Sequence, residues 1–364
     1  MQRRTFIHLG AAIGGTGALS ITTSATGTRK RIDNSSRFAQ SRYATNDTPR
    51  YADWVPSEHH TDPDEDVFFT HVDWDAIDEL DDDETPEDED DELEAVIERV
   101  PIIGLPMYGA IITPFAVFGL LFYPFAEHVL PDEEQLVDGI ETSTMTWTND
   151  LVIFHGEFSR DVFETEYTDG FTATEEQNDF TVYSGDDVFT EGLSFALSED
   201  TLVAGMMPGA EDVYSPEEIV TEALERFDTE TDRIVDDEDG EWLFETTGEG
   251  QMVFGGWQLD DLAAAIDPDE ELEEDGETLE TDPDVEGNPV YDAVESFVNT
   301  IEFSVDDGEM GDIEARFSGL YPSDSVPSEA DVAEYLIGEP TVPHEIDIAE
   351  NRVHASATFD AIDE

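Results

Sequence analysis

The chain has 364 residues, no cysteine, and 93 Asp and Glu against 14 Lys and Arg, for a formal net charge of -79. That length is enough for a large buried core, and an apolar share of 38% with 10% aromatics excludes a wholly disordered acidic polymer. The charge balance excludes nucleic acid as a partner, because phosphate contacts need clustered Lys and Arg. The lack of cysteine excludes disulfides, thiolate metal sites, a cysteine nucleophile and lipid attachment through an N-terminal cysteine.

The charge is unevenly placed. Residues 1–50 hold eight of the fourteen basic groups with only Asp33 and Asp47 as acids, whereas the chain from Tyr51 onward has six Arg, no Lys and 91 acids. In dilute buffer so much like charge pushes a compact state apart. Near 1 M salt the Debye length falls to about 3 Å and the repulsion is screened. The composition therefore predicts a protein made for very high salt, and it disfavours a conventional anionic membrane surface.

Residues 1–25 read as an export signal, with a basic start, a weakly apolar middle rich in Ala and Gly, and a small-residue exit. Within it, Arg3-Arg4-Thr5-Phe6-Ile7 resembles the twin-arginine motif, an arginine pair followed at a fixed offset by Phe and an aliphatic residue. Together with the acid bias, the chain resembles a twin-arginine-exported surface protein of a halophilic archaeon. The resemblance implies transport of an already folded protein across the cytoplasmic membrane, with Arg3, Arg4 and Phe6 as the export signal. It implies a final location at the cell surface, membrane-associated or extracellular.

Residues 26–50, rich in Ser, Thr and Arg, read as a flexible tether. Residues 51–100 hold a first strand-helix unit, VFFTHVDWDAIDEL from Val67, followed by an acidic linker. Residues 101–126, PIIGLPMYGAIITPFAVFGLLFYPFA, carry no charged residue. A bilayer span needs about 20 apolar residues, so length allows a membrane segment, marked by Pro101, Pro114 and Ala126. Pro106, Pro114 and Pro124 argue against a plain spanning helix, because interior proline breaks the hydrogen-bond ladder. A membrane, entered as a span or a re-entrant hairpin, the domain's own core and a partner's groove would each hide this run. The membrane is the partner it offers.

An α+β module is expected over residues 135–267, an acidic loop over 268–287 and a C-terminal α+β module over 288–361. Hairpins are signalled at Asn149-Asp150, at Asn178-Asp179, at Ser198-Glu199-Asp200, at Asp307-Gly308 and at Glu350-Asn351, each polar pair or triplet standing between apolar runs. Ser215-Pro216-Glu217-Glu218 is a capping box, and Ile219, Val220, Ala223, Leu224 and Phe227 then form one stripe. Asn288-Pro289 opens a second expected helix with Val290, Ala293, Val294, Phe297 and Val298 as its stripe. A third starts at Ser328, with Asp331 as its capping partner, and stops at Gly338. Three stretches, from Val67, Val152 and Met252, echo a strand-then-helix pattern and read as a duplicated module. The expected fold class is α+β, with antiparallel hairpins, packed helices, a possible duplicated strand-helix module and one long apolar segment.

No serine-nucleophile elbow, zinc-protease motif, phosphate loop or dinucleotide fingerprint is present, so no cofactor and no catalytic residue is assigned. Gly255-Gly256 follows a strand but is read as a place of close backbone packing. Asp282 to Gly287 has the alternating acids of a calcium loop, yet Ala293 stands where the bidentate glutamate belongs. His59-His60 beside Asp62 and Asp64 is awkward for one ion, because adjacent residues of an extended chain point apart. His71 and His155 hold neighbouring places in the echo and are read first as strand histidines that could meet. Trp147, Trp242 and Trp257 are core candidates before they are a sugar-binding groove, and with 91 acids paired carboxylates lose diagnostic value. The sequence thus points to an exported, non-enzymatic envelope protein of a halophile, membrane-associated. The alternative is an exported hydrolase with a dispersed active site.

Overall fold

The computed structural model describes residues 48–58, 66–78, 100–107, 109–110, 140–149, 151–166, 170–186, 192–206, 215–260, 262, 288–306, 309–338 and 341–359. Runs rich in Val, Ile, Phe and Thr bounded by polar turns form twelve strands. They are β1 Val67–Asp73, β2 Ile140–Thr148, β3 Leu151–Phe158, β4 Phe171–Gln177, β5 Phe180–Gly185, β6 Leu193–Leu197, β7 Thr201–Met206, β8 Met252–Trp257, β9 Ser296–Asp306, β10 Glu309–Leu320, β11 His344–Ala349 and β12 Arg352–Phe359. All belong to one sheet in the order β11-β12-β10-β9-β8-β1-β2-β3-β7-β6-β5-β4, and every neighbouring pair is antiparallel.

The middle of the sheet is buried on both faces, while the edge strands β4 and β11 are largely exposed, and the two-residue alternation of side chains sorts the core. One face gathers Val72, Met145, Phe154, Phe254, Phe297 and Phe317 against Ile102, Ile103, Leu105, Met107, Ala110, Tyr291 and Leu336. On the second face Phe69, Val253 and Val298 lie under Phe244 and Tyr51. Further along it, Leu151, Ile153 and Val203 lie under Ile219, Val220 and Leu224. The described α-helices are short: α1 Trp74–Asp78, α2 Arg160–Glu166, α3 Pro216–Thr229, α4 Glu238–Thr247 and α5 Glu329–Val332, the last running into a wider turn over Ala333–Ile337. The Ser215 and Ser328 capping boxes form as read, with Glu218 and Asp331 as their partners.

The α+β expectation is corrected: the architecture is a mostly antiparallel β-sheet with short helices laid over its faces. The helix expected from Asn288 shows why. Asn288 Oδ1 accepts from the Val290 amide in a turn, and Phe297 and Val298 belong to β9 and face opposite cores. A strand apolar on both faces produces adjacent apolar pairs that mimic a helical stripe. The three echoing stretches supply β1, β3 and β8 to one sheet, with β8 and β1 immediate neighbours, and a short helix follows β1 and β3.

The first part of the apolar run lies in the domain's own core, one of the three places left open for it. Residues 101–107 and 109–110 are helical, and Ile102, Ile103, Leu105, Met107 and Ala110 are buried against the first face. Gly109 makes this seat possible, because a Cβ there would stand 2.6 Å from the Phe254 ring and 2.9 Å from Thr70 Oγ1. No helix among the described residues is long and apolar enough to cross a membrane. Residues 111–126 of the run, with Pro114 and Ala126, lie outside the described residues.

Candidate functional site

Residues 48–58 form a strap that crosses the second face before the chain enters β1. Its Arg50–Trp54 segment is a single 3-10 turn with Tyr51, Ala52 and Trp54 buried. Beneath it stand two histidines. His71 of β1 lies opposite Thr146 of β2, and His155 of β3 lies opposite Thr144 of the same strand, so the pair flanks β2 on one face. Tyr51 stacks flat on His71 with ring centroids 4.6 Å apart, and Trp54 meets His155 at 6.1 Å. Each imidazole Nδ1 is engaged by the hydroxyl of a directly opposed strand residue, His71 with Thr146 at 2.9 Å and His155 with Thr201 at 3.1 Å.

Burial sets the protonation state. It drives His71 down to about 3, helped by the nearness of His155. It also lowers His155, against Asp200, which favours the charged form, and together with Arg50, which does not. Both rings are therefore neutral at pH 7, uncharged in a chain otherwise crowded with charge. Sequence reading singled out the two histidines as strand residues that could meet; the structure keeps them apart on either side of β2, and the reading missed Tyr51, Trp54 and the threonines. The β2–β3 turn at Asn149 makes the His155–Thr144 register legible in principle. The β1–β2 pairing joins segments too distant for any turn to set.

A third histidine repeats the device. His354 of β12 opposes Ser318 of β10, with Ser318 Oγ and His354 Nδ1 3.1 Å apart, and Asp347 of β11 opposes His354 from the other side. Burial, then Arg316, lowers its pKa. A serine, a histidine and an aspartate on three adjacent strands have the composition of a hydrolytic triad, but Ser318 is fully buried. Asp347 is exposed and faces solvent. The arrangement holds strands together and gives a substrate no approach to the hydroxyl.

The other candidates separate. Arg3, Arg4 and Phe6 lie outside the described residues, as do His59, His60 and the acids of the Asp282–Gly287 stretch. Pro101 begins the helical turn at 101–107, where its carbonyl accepts from Tyr291 Oη at 3.4 Å. Trp147 packs on the first face, whereas Trp242 and Trp257 pack on the second, so the three form no common groove. Among the described residues no group of three His, Asp or Glu is placed to hold a metal ion.

The arginines act as staples. Arg233 bridges Asp53 of the strap at 2.7 Å and Asp236 at 2.9 Å, fixing the strap to the segment between α3 and α4. Arg316 of β10 joins Glu302 of β9 and Glu314, and reaches the carbonyls of Thr247 and Glu249 at the end of α4. Arg352 of β12 pairs with Asp239 of α4 and lies 4.9 Å over the Trp242 ring. These cations are turned inward on carboxylates, while Glu175, Glu176, Glu225, Glu345 and Glu350 stand exposed.

No protein-family model and no curated protein matches the chain. Among solved structures it is similar to TP0453 in its crystal form I, with 7% identity and a TM-score of 0.36 over 86% of this chain and 94% of that one, a likeness too distant to carry an argument.

Proposed function

We propose that this chain is an exported, non-enzymatic domain of the cell envelope of a halophile, built to hold its fold in molar salt. The observation that supports it is the disposition of charge. Arg233, Arg316 and Arg352 are spent on internal staples, so the surface they leave behind is acidic on strand, helix and turn alike. An acidic surface is costly in dilute buffer and tolerable in brine. The arginine pair at Arg3 and Arg4 supports export, and the burial of Ile102, Ile103, Leu105, Met107 and Ala110 keeps the start of the apolar run within the domain.

The hydrolase reading rests on Ser318, His354 and Asp347, and the burial of Ser318 opposes it. Two experiments test the proposal together. In a halophilic host the intact chain should reach the cell exterior, and the Arg3→Lys, Arg4→Lys double variant should stay inside. The purified protein in molar KCl should leave ester, peptide and glycoside substrates unchanged. Turnover that disappears in Ser318→Ala would establish the hydrolase instead, and normal export of the double variant would remove the twin-arginine route.

A further inference from the structure

We propose that residues 48–58 are an acid-sensitive latch, lifted from the sheet when His71 and His155 take up protons. The strap covers both rings directly, through Tyr51 and Trp54. The two histidines act on one another across β2, and Arg50 of the strap acts on His155. A proton on either ring therefore places positive charge beneath a buried segment that itself carries a cation. Opening the strap is the local way to hydrate that charge, because the strands on either side are fixed by their ladders.

The order of events follows from exposure. His155 is the less buried of the two and has Asp200 of the β6–β7 turn to favour its charge, so it charges first. Its charge and that of Arg50 then oppose the covered state. On the His71 side the neighbours are Tyr51, the Thr146 hydroxyl and, beyond the Tyr51 ring, Glu249. Besides the burial of Tyr51, Ala52, Trp54 and Val55, a short set of bonds holds the strap. Ile234 donates its amide to the Val55 carbonyl at 3.1 Å, Ser57 donates to Asp232 at 3.0 Å, Tyr51 Oη donates to Gly248 at 3.3 Å, and Asp53 pairs with Arg233. The Asp53 carboxyl is itself raised, by burial first, so its protonation favours the covered state and works against the histidines. Trp54 stacks on Phe227 of α3 at 4.2 Å, which makes its ring a reporter of the closed state.

Hydrogen exchange on the full chain in molar KCl tests the latch. Between about pH 7.5 and about pH 5, protection of the Val55, Ser57 and Ile234 amides, corrected for intrinsic rates, should fall by ~10-fold or more, whereas amides of β9 and β10 keep theirs. The Trp54 emission should shift over the same range. His155→Gln, at a half-buried position that tolerates an amide, should reduce the loss to the share that His71 carries, and it separates the histidines from Asp53. His354→Gln, on a distant strand of the same face, should leave the loss as it is. Protection at the strap that ignores pH in the intact chain would overturn the proposal. So would a loss that persists in full in His155→Gln, or one that vanishes in His354→Gln.

Discussion

Gly255 and Phe69 face one another across the β8–β1 ladder, and the Phe69 ring fills the space that any side chain at 255 would need. The glycine read from the sequence as a place of close packing is thus a packing device at the centre of the sheet. Phe69 in turn lies against Phe244 of α4, with centroids 5.3 Å apart, so pressure at 255 passes to the helix above. Gly255→Ala should cost about 1–3 kcal/mol, the usual range for overpacking a filled core. Denaturant titration in molar salt checks it. Phe69→Leu in the same chain should return part of the loss, and strict additivity of the two changes would rule out this contact as the cause.

Ile102 and Leu105 test where the apolar run begins. Both are wholly buried against the first face. Ile102→Ala should lower stability by about 2–5 kcal/mol, the range for large-to-small changes in a core. Ile102→Asp should prevent folding outright, since an unpaired carboxylate cannot stay buried. A segment seated in lipid or in a partner would leave the isolated domain's melting unchanged by Ile102→Ala.

The three hydroxyl-bonded histidines give a pH dependence with a defined sign. Burial lowers His71, His155 and His354 in the folded state, so the unfolded chain binds more protons as acid is added. Stability is then full above about pH 6.5, the unfolded histidine value, and falls as pH drops toward the folded values, about 3 for His71. The wholly buried His71 alone supplies a slope of up to ~1.4 kcal/mol per pH unit below that point. Asp53 and Glu302, raised by burial, work in the opposite sense as carboxylates begin to titrate. The histidine effect is therefore cleanest between about pH 7.5 and about pH 5.5. Thermal melts at constant molar salt should show the midpoint falling over that window, and His354→Gln should flatten part of the fall. A midpoint that rises on acidification would contradict the assignment.

Local signals in the chain were legible wherever chemistry and neighbours coincide. Asn178 and Glu350 take left-handed turns between paired strands, and Ser215 and Ser328 cap their helices through Glu218 and Asp331. The Asn149 turn does more than its polarity announces. Its side chain accepts from the Phe68 amide and donates to the Asp66 carbonyl, joining β1 to the β2–β3 hairpin from 81 residues away. No local pattern reveals that bond, nor that β1 inserts between β8 and β2. The fold class was misread for a related reason. Helices counted from apolar spacing included Phe297 and Val298, whose adjacency comes from a strand buried on both faces. Of the site, the histidines were visible as residues. Their cover was not, because Tyr51 and Trp54 reach them by a crossing that only the folded sheet defines.

Salt titration of folding reaches the proposed role most directly. The chain after Tyr51 carries 91 acids against six arginines, and Arg233, Arg316 and Arg352 are turned inward. Lowering KCl from molar concentration to ~0.05 M lengthens the Debye screening to more than 10 Å and exposes every acidic surface to its neighbours. Circular dichroism melts across that range should show the midpoint falling steadily with dilution and the sheet signal lost at the lowest salt, with recovery when KCl is restored. A midpoint indifferent to salt would contradict a domain built for brine.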